Sequence, residues 1–542
     1  MIIKNWSIFH SYNSFFNENL NLDKALIRAV QSGFGEIAYN SDGIASWRHK
    51  GKIKVASLNF HSTNNISELK NIKDITDFQR ECLYQAGRMH FFEEQIFSDQ
   101  TLSNIPHVRV FLAPIIFCTN THRIFLYPYV KIYENGVYSV VFREMSGDVD
   151  VSIPDFINKD INLFRHHSKD VDVSPELIRL DAKNILFNSR HVGRSKLSHL
   201  KEYNKVLNEI ESQTYLAEMI DFEFKLCPAS TLTEMTGPGL TLTSLREFIG
   251  SALEGALFHK KSGINYLIFG NLNRIDHKGS YWSGRPYAFL LSFSEQPDKA
   301  SDFSLQNLRA FGRIMGRESQ LPDTNAEIFL GKSLRLFDDF GSYFNEAVGL
   351  IVYSSAGLEN DSAWKDLNDS HLVLPHQIKN EFIDYVEMSY QKLLHTSFSI
   401  EQNLSSIMHD RMALISLRLI RRKASTAGEI NDLLNYAWNC LKLNEIEAEI
   451  AAGRTLKFDV IKENDSKRFN TTTLAITFIF GLVGASGLAK DFVSPILLSF
   501  QGLESTSELQ RNLLAFSISC TLIVTIIGIF RMWTRKPSLK IS

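Results

Sequence analysis

The sequence predicts an α+β cytosolic domain that leads into a long stalk helix and two C-terminal transmembrane α-helices. Three observations predict this fold class. Strand-like runs fill residues 107–145, a helical region without proline extends from residue 429 to 489, and two apolar stretches without charge occupy residues 471–489 and 512–530. The sheet, the stalk and the spans therefore follow one another along the chain.

The composition is that of a folded protein with a sizeable core. Of 542 residues, 44% are hydrophobic and 22% are charged, which excludes a disordered chain or a small disulfide scaffold. The 58 basic and 60 acidic residues leave a net charge of −2, so no basic field points to nucleic acid as a partner. The five cysteines form no CxxC pair and no apolar leader follows Met1, so the bulk of the chain is expected in the cytosol.

The strands are predicted from aromatic and β-branched runs with turn signals between them. VRVFLAPIIFC, RIFLYPYVKIY and VYSVVFREM succeed one another in residues 108–145, and PYAFLLSF follows at residues 286–293. Asn135 and Gly136 separate two of the runs and predict a tight hairpin, because both residues tolerate positive φ. Helical patterns on either side of these runs make the region a mixed α and β domain.

The stalk is predicted from apolar residues that recur at three- and four-residue steps after a capping-box pattern at residues 426–429. Continued into the membrane, this helix would be about 60 residues long, or ~90 Å. The resulting domain plan has four parts: an N-terminal mixed region at 1–225, a second α/β subdomain at 226–375, a helical stalk region at 376–468, and a transmembrane domain with a basic tail at 469–542.

Each of the two apolar stretches is 19 residues long, close to the ~20 residues that cross a bilayer. The tail after residue 530 is basic, whereas the loop between the stretches is slightly acidic. Positive charge marks the cytoplasmic side. We therefore expect a multi-pass protein of the cell (inner) membrane with both termini in the cytoplasm and the lipid bilayer as a partner.

The first apolar stretch carries a polar stripe. Thr473, Thr477, Gly481 and Gly484 lie on one helical face, at i, i+4, i+8 and i+11. Such a stripe favours close helix packing, or it lines a path in which hydroxyl and backbone oxygens replace water around an ion. Two helices cannot enclose a pore, so conduction would require a homo-oligomer.

The loop around residues 277–286 is the most ligand-like segment before the stalk. Tyr281 and Trp282 offer aromatic faces and Arg285 a cation, which suits a nucleotide-like ligand, although an ordinary surface loop explains the same residues. No P-loop, HExxH, GxSxG or GxGxxG pattern is present, so neither an enzyme nor a cofactor is expected. The nature of any metal site is left open.

The order of domain, stalk, first span, short outer loop, second span and basic tail resembles the CorA-type magnesium transporter family, most closely over residues 428–540. The resemblance implies a pentamer whose first span lines the pore, and it makes Thr473, Thr477, Gly481, Gly484 and Ser486 pore candidates. Asp491 would lie in the outer loop. The family's Gly-Met-Asn signature is replaced here by Gly484-Ala485-Ser486-Gly487.

Two functions follow from this resemblance. The first is an oligomeric membrane channel or transporter for divalent cations such as Mg²⁺, with a large cytosolic regulatory domain. The second is a ligand-gated membrane effector, as in antiviral defence, that binds a nucleotide-type messenger and permeabilises the membrane. The polar stripe favours the first function, whereas nucleotide binding by Trp282 and Arg285 would favour the second.

Overall fold

The computed structural model gives the chain two compact units. The first comprises Met1–Ser399 and Met408–Ala451, and the second comprises Ile400–Ile407 and Ala452–Ser542. The residues that it describes are 1–57, 72–97, 105–119, 122–145, 150–187, 196–219, 222–229, 240–258, 278–279, 284–335, 337–359, 370–397, 404–424, 428–499 and 507–534.

The strands of the described residues join into one large sheet in the first unit. They are β1 (Ile2–Phe15), β2 (Ile37–Asn40), β3 (Ile44–His49), β4 (Lys52–Ser57), β5 (His107–Phe111), β6 (Ile115–Cys118), β7 (Arg123–Tyr133), β8 (Val137–Met145), β9 (Val151–Ser152), β10 (Asp170–Val173), β11 (Tyr215–Met219), β12 (Phe222–Pro228), β13 (Lys278–Gly279), β14 (Arg285–Phe293), β15 (Phe340–Phe344) and β16 (Gly349–Tyr353). The main order is β11-β12-β10-β6-β7-β8-β1-β14-β16-β15, and β5 joins β7 to the β2-β3-β4 meander.

Helices cover this sheet and form the second unit. They are α1 (Leu22–Gln31), α2 (Asp77–Phe97), α3 (Pro175–Phe187), α4 (Lys196–Gln213), α5 (Leu242–Leu257), α6 (Ala300–Gln306), α7 (Leu308–Met315), α8 (Asp323–Leu330), α9 (Ser355–Glu359), α10 (Ser370–Ser397), α11 (Leu404–Ala424), α12 (Gly428–Cys440), α13 (Leu443–Leu488), α14 (Ser494–Leu498) and α15 (Glu508–Thr534). A helical turn at Ile153–Asp155, a π-helix at Phe156–Ile161, a 3₁₀ turn at Leu163–Arg165 and a second π-helix at Ala489–Val493 complete the described helices.

The predicted hairpin is confirmed. Strands β7 and β8 pair antiparallel, with Tyr129 opposite Val141, and Gly136 between them has a φ of +84°. Strand β14 confirms the run at residues 286–293. The long aromatic and β-branched runs predicted these strands correctly because both faces of each strand are buried.

The fourteen-residue strand β1 lies inside the sheet between β8 and β14. Its side chains alternate between the two faces of the sheet. Phe9 and Phe15 pack with α2 and α10 on one face, whereas Tyr12, and Phe16 directly after the strand, pack with α1 and α5 on the other. Period-two alternation in one strand thus serves two helical layers.

Helix α10 turns acidic side chains toward the sheet, where most helices bury apolar ones. Glu381 and Glu93 of α2 are both fully buried, and both contact Arg109 and Lys131 of the sheet. Lys131 Nζ lies 2.8 Å from Glu93 Oε1 and 2.9 Å from Glu381 Oε2. Tyr129 donates a 2.5 Å hydrogen bond to the other oxygen of Glu381. We call Glu93, Arg109, Lys131 and Glu381 the ionic cluster.

Mutual pairing makes this burial tolerable. Burial alone would raise the pKa of Glu93, but the charges of Arg109, His107 and Lys131 outweigh it and hold the pKa well below its usual value. The pKa of Glu381 is lowered for the same reason, burial being outweighed by Arg109 and Lys131. Both carboxylates are therefore ionised, and removal of either would leave buried cations without compensation.

The predicted single stalk helix is interrupted. Helix α12 ends at Cys440 and α13 begins at Leu443, with Lys442 between them at a φ of +51°. A left-handed residue ends a helix because its backbone cannot continue the right-handed turn. The periodicity of apolar residues predicted helix on both sides of Lys442 but did not predict the break.

The prediction of two transmembrane helices is wrong. Within the part of the chain that the structure describes, no helix combines the length and the apolar character that crossing a membrane requires. Residues 471–488 end the 46-residue helix α13 and Ala489 begins the π-helix that follows, whereas 512–530 belong to α15, which begins with Glu508 and carries Arg511. An uncharged run of nineteen residues is thus insufficient evidence for a span, since the described helices join such runs to charged turns. The predicted fold class with two transmembrane helices and the predicted localisation as a multi-pass protein of the inner membrane are therefore wrong.

We expect Glu93→Gln to lower the free energy of unfolding by about 3–5 kcal/mol, because it leaves Arg109 and Lys131 short of one carboxylate. Glu81→Gln on the same helix α2 is the control, since Glu81 is exposed and should change stability by less than ~0.5 kcal/mol. Urea unfolding at pH 7 measures the free energy of unfolding of both variants.

The folded-state pKa of Glu93 is lowered, so its contribution to stability is present above the unfolded pKa of ~4.3 and is lost as the pH falls through the folded pKa. Equal stabilities of the two variants would contradict the role of the ionic cluster.

Candidate ligand-binding cavity

One cavity of the first unit lies where four elements meet. It has a volume of about 800 Å³, within the size range of small-molecule sites. The beginnings of α2 and α3, the end of α4 and residues 222–225 of β12 surround it. Its lining comprises Glu36, Arg48, Thr76, Asp77, Phe78, Ala113, Ser174, Pro175, Glu176, Arg179, Ile210, Glu211, Thr214, Phe222, Glu223, Phe224 and Lys225.

Local sequence explains why two helices begin at this cavity. Thr76 and Gln79 form a capping box, in which the Gln79 amide donates to Thr76 Oγ1 at 3.1 Å and the Thr76 amide donates to Gln79 Oε1 at 3.2 Å. Helix α3 begins with Pro175. The N–H at this first helical position has no acceptor within the helix, so proline, which lacks an N–H, costs no hydrogen bond there. The two starts are thereby fixed by short-range interactions.

The charged side chains of the cavity are partly paired with one another. Glu176 and Arg179 form an ion pair at 2.9 Å. Glu36 Oε2 accepts a hydrogen bond from Gln79 Nε2 at 3.2 Å. Burial raises the pKa of Glu36, and the hydrogen bond and the charge of Arg48 only partly oppose it. A cation that entered beside Glu36 would therefore relieve an unfavourable charge.

Three phenylalanines form an aromatic wall of the cavity. The ring of Phe78 meets Phe224 edge-on at a centroid distance of 4.6 Å and meets Phe222 at 5.8 Å. Phe222 and Phe224 are separated by 6.4 Å. Such rings bind apolar or planar groups, and their faces attract cations.

The lining residues combine charged and hydroxyl side chains. They include carboxylates, arginines, a lysine and hydroxyls, but no histidine or cysteine. In the residues that the structure describes, no group of three or more His, Cys, Asp or Glu side chains could hold a metal ion. A second cavity, next to His376, has about 20 Å³ and would hold one water.

The predicted ligand loop is described only at its end. Tyr281 and Trp282 lie outside the described residues. Arg285 is the first residue of β14 and is 3% exposed. Its Nη1 lies 2.7 Å from Asp384 Oδ1 and 3.0 Å from Glu387 Oε2, both on α10. Its charge is thus paired inside the fold. The two carboxylates that pair with it lie on the same helix as Glu381 of the ionic cluster.

The predicted pore residues lie on or just after α13. Thr473 and Gly484 are exposed helical residues, and Asp491 is exposed in the π-helix that follows. Thr477, Gly481 and Ser486 belong to the same helix α13. The stripe is therefore helical, as the spacing predicted, whereas its pore-lining role stays a prediction.

Sequence reasoning missed the cavity because its residues are dispersed. They extend from Glu36 to Lys225 and share no spacing that a motif search would recognise. The capping box at Thr76–Gln79 was the one local signal, and it identifies a helix start rather than a ligand. Only the pairing of β12 with β10 and β11 brings its phenylalanines to the start of α2.

Comparison with protein-family models, with curated proteins and with solved structures gives no match. The resemblance to the CorA family therefore stays a prediction from the sequence. Function must be argued from the geometry of this chain alone.

We expect Arg285→Met to destabilise the protein by about 3–5 kcal/mol, because Asp384 and Glu387 would remain buried without their cation. The control is Arg309→Met, whose ion pair with Asp323 at 2.9 Å is largely exposed and should contribute less than ~1 kcal/mol. Urea unfolding of both variants measures the difference. A harmless Arg285→Met would mean that this guanidinium is not needed inside the fold.

Proposed function

We propose that the first unit is a ligand-binding regulatory module that takes up a small polar molecule in the cavity of about 800 Å³. The cavity carries this proposal, because it joins ligand-sized volume, charges of both signs and an aromatic wall in one place. A regulatory domain that binds a ligand is the part shared by both functions predicted from the sequence.

The charges of the lining favour a ligand that bears a positive group. Five carboxylates face three cations, which gives an excess of two negative charges: Glu36, Asp77, Glu176, Glu211 and Glu223 against Arg48, Arg179 and Lys225. A polyphosphate would meet this excess with repulsion, whereas an amine or guanidinium would be attracted to it. The aromatic wall would hold the rest of such a ligand, or the cation itself. We therefore propose a small organic cation or zwitterion rather than a nucleotide.

The remaining parts of the expected function stay predictions. Divalent-cation transport depends on membrane-crossing helices, and the described residues contain none of sufficient length and apolar character. A homo-oligomer, a pentamer by the CorA resemblance, also stays a prediction. We propose a binding role rather than an enzymatic one because the lining lacks an imidazole or thiol beside its hydroxyls.

Thermal unfolding of the full-length protein with added small molecules tests the proposal. Spermidine and arginine represent organic cations, and AMP and ATP represent nucleotides. A ligand at ten times its dissociation constant stabilises the folded state by about 1.4 kcal/mol. We expect the organic cations to raise the unfolding midpoint and the nucleotides to leave it unchanged.

A matched pair of variants locates the binding. Glu223 and Glu218 are exposed cross-strand partners on β12 and β11, but only Glu223 lines the cavity. Each change to lysine creates the same Lys–Glu pair across the strands, so both variants should have similar stability. We expect Glu223→Lys to weaken cation binding at least about fivefold, or ~1 kcal/mol, and Glu218→Lys to preserve it. Equal binding by both variants would place the ligand elsewhere, and no binding by any compound would contradict the proposed function.

A further inference from the structure

The cavity of about 800 Å³ has one lining carboxylate that is partly buried and lacks a cationic partner. Asp77 and Glu176 form ion pairs, at 3.0 Å and 2.9 Å, each with an arginine three residues further along the same helix. Glu211 and Glu223 are exposed to solvent. Glu36 is partly buried, and among the described residues it forms no ion pair. It is therefore the position in the lining where a positive charge is missing.

The backbone of Glu36 is fixed against the sheet. The residue directly precedes β2, and its N–H donates to the Phe111 carbonyl of β5 at 2.8 Å. Gly35 allows this close approach, because a Cβ at that position would collide with the side chain of Val110. These contacts determine where the Glu36 side chain enters the cavity.

Gln79 of α2 holds one oxygen of the Glu36 carboxylate. The Gln79 side chain is 4% exposed, and its Oε1 accepts a hydrogen bond from the Thr76 amide at 3.2 Å. This bond sets the orientation of the carboxamide, because Nε2 then faces two acceptors, Glu36 Oε2 and the Arg48 carbonyl, each at 3.2 Å. The described residues make no other hydrogen bond to the Glu36 carboxylate. Its Oε1 is therefore left as an acceptor for a ligand.

The titratable neighbours of Glu36 come from three elements: Arg48 of β3, Cys82 of α2 and Glu176 of α3. Burial raises the pKa of Glu36, the hydrogen bond from Gln79 and the charge of Arg48 oppose this rise, and the charge of Glu176 adds to it. Burial also raises the pKa of Cys82 well above its usual value, so this neighbour is a neutral thiol. A cation bound to Glu36 would therefore favour its ionised form.

We propose that Glu36 binds the positive group of the ligand, and that this group is an ammonium or guanidinium with N–H donors rather than a quaternary ammonium. The inference rests on the proposed function of the cavity and assigns to it one binding residue and one class of ligand. An N–H cation can donate a charge-assisted hydrogen bond to Glu36 Oε1, whereas a quaternary ammonium cannot. The aromatic wall alone would accept either cation, since ring faces attract both.

The substitution Glu36→Gln removes the charge and also reverses the hydrogen bonding at this point. Gln79 Nε2 would still need an acceptor, so the new carboxamide would turn its oxygen toward Gln79 and its NH₂ group toward the ligand. An N–H of the ligand would then meet another donor. Because burial disfavours the ionised carboxyl, the neutral amide should leave the stability of the protein without ligand unchanged.

Calorimetric titration of the full-length protein with spermidine at pH 8 measures the contact. We expect Glu36→Gln to weaken spermidine binding at least about tenfold, because a hydrogen bond to a charged group is lost together with the charge. Glu81→Gln is the matched control, since it makes the same substitution at an exposed carboxylate of α2 that does not line the cavity. It should change the affinity by less than about twofold.

The class of ligand is tested with the fully N-methylated analogue of spermidine, which carries the same charges but no N–H. We expect the wild-type protein to bind this analogue at least about fivefold more weakly than spermidine. In Glu36→Gln this preference should disappear, which separates the lost hydrogen bond from the added bulk of the methyl groups. Equal affinity of the wild-type protein for both compounds would overturn the assigned class.

A pH series adds a readout that a merely structural role of Glu36 would not change. The pKa of Glu36 in the folded protein is raised, so a proton competes with the cation as the pH falls through that pKa. The affinity that depends on Glu36 should then fall by up to about tenfold per pH unit. The factor between wild type and Glu36→Gln should therefore shrink from pH 8 to pH 5, and a constant factor would contradict the proposal.

The outcomes separate this inference from the proposed function of the cavity. Spermidine binding of equal strength by the wild type and Glu36→Gln would overturn the role of Glu36, while the ligand-binding function would stand. Equal weakening by Glu36→Gln and Glu81→Gln would overturn it as well, because it would reveal an effect of overall charge. Failure of the wild-type protein to bind either spermidine or arginine would contradict the proposed function and this inference with it.

Discussion

The first unit depends on the pairing of charges that its longest helix buries. Helix α10 places Glu381, Asp384 and Glu387 against the sheet. Burial of a charged side chain without a partner costs several kcal/mol for each ion. Arg109 and Lys131 meet the first of these carboxylates, and Arg285 meets the other two. Strands β5, β7 and β14 are therefore held in fixed register with α10, since a shift of one residue would turn each cation to the other face.

Buried carboxylates lie on both faces of the sheet around β1, and the two faces accommodate them in opposite ways. On the side of α10, Glu93 and Glu381 of the ionic cluster are ionised because Arg109 and Lys131 contact them, and their pKa values are lowered. On the side of the π-helix, neither Glu144 nor Asp160 forms an ion pair with an arginine or lysine of the described residues, and burial raises their pKa values to about 8 and about 9. The proposed ligand cavity lies outside both, beside β12 and the start of α2.

Local patterns allowed part of this fold to be predicted. The hairpin of β7 and β8 follows from Asn135-Gly136 between two aromatic runs, because turn geometry depends on neighbouring residues. The ion pairs of Arg285 and the cavity depend on contacts between distant segments, which no single-sequence pattern encodes. The transmembrane expectation was wrong because it counted uncharged residues within 471–489 and 512–530 and ignored the helices to which they belong.

A double-mutant cycle on Arg109 and Glu381 tests the central claim, that the ionic cluster is a closed unit on which the fold depends. The variants are Arg109→Met, Glu381→Gln and the two combined, compared by urea unfolding at pH 7. The account predicts a coupling free energy of at least ~2 kcal/mol. Each single change leaves a buried charge without its partner, whereas the double change removes both charges. Additive effects of the two changes would show that the buried charges are not energetically linked, and would contradict it.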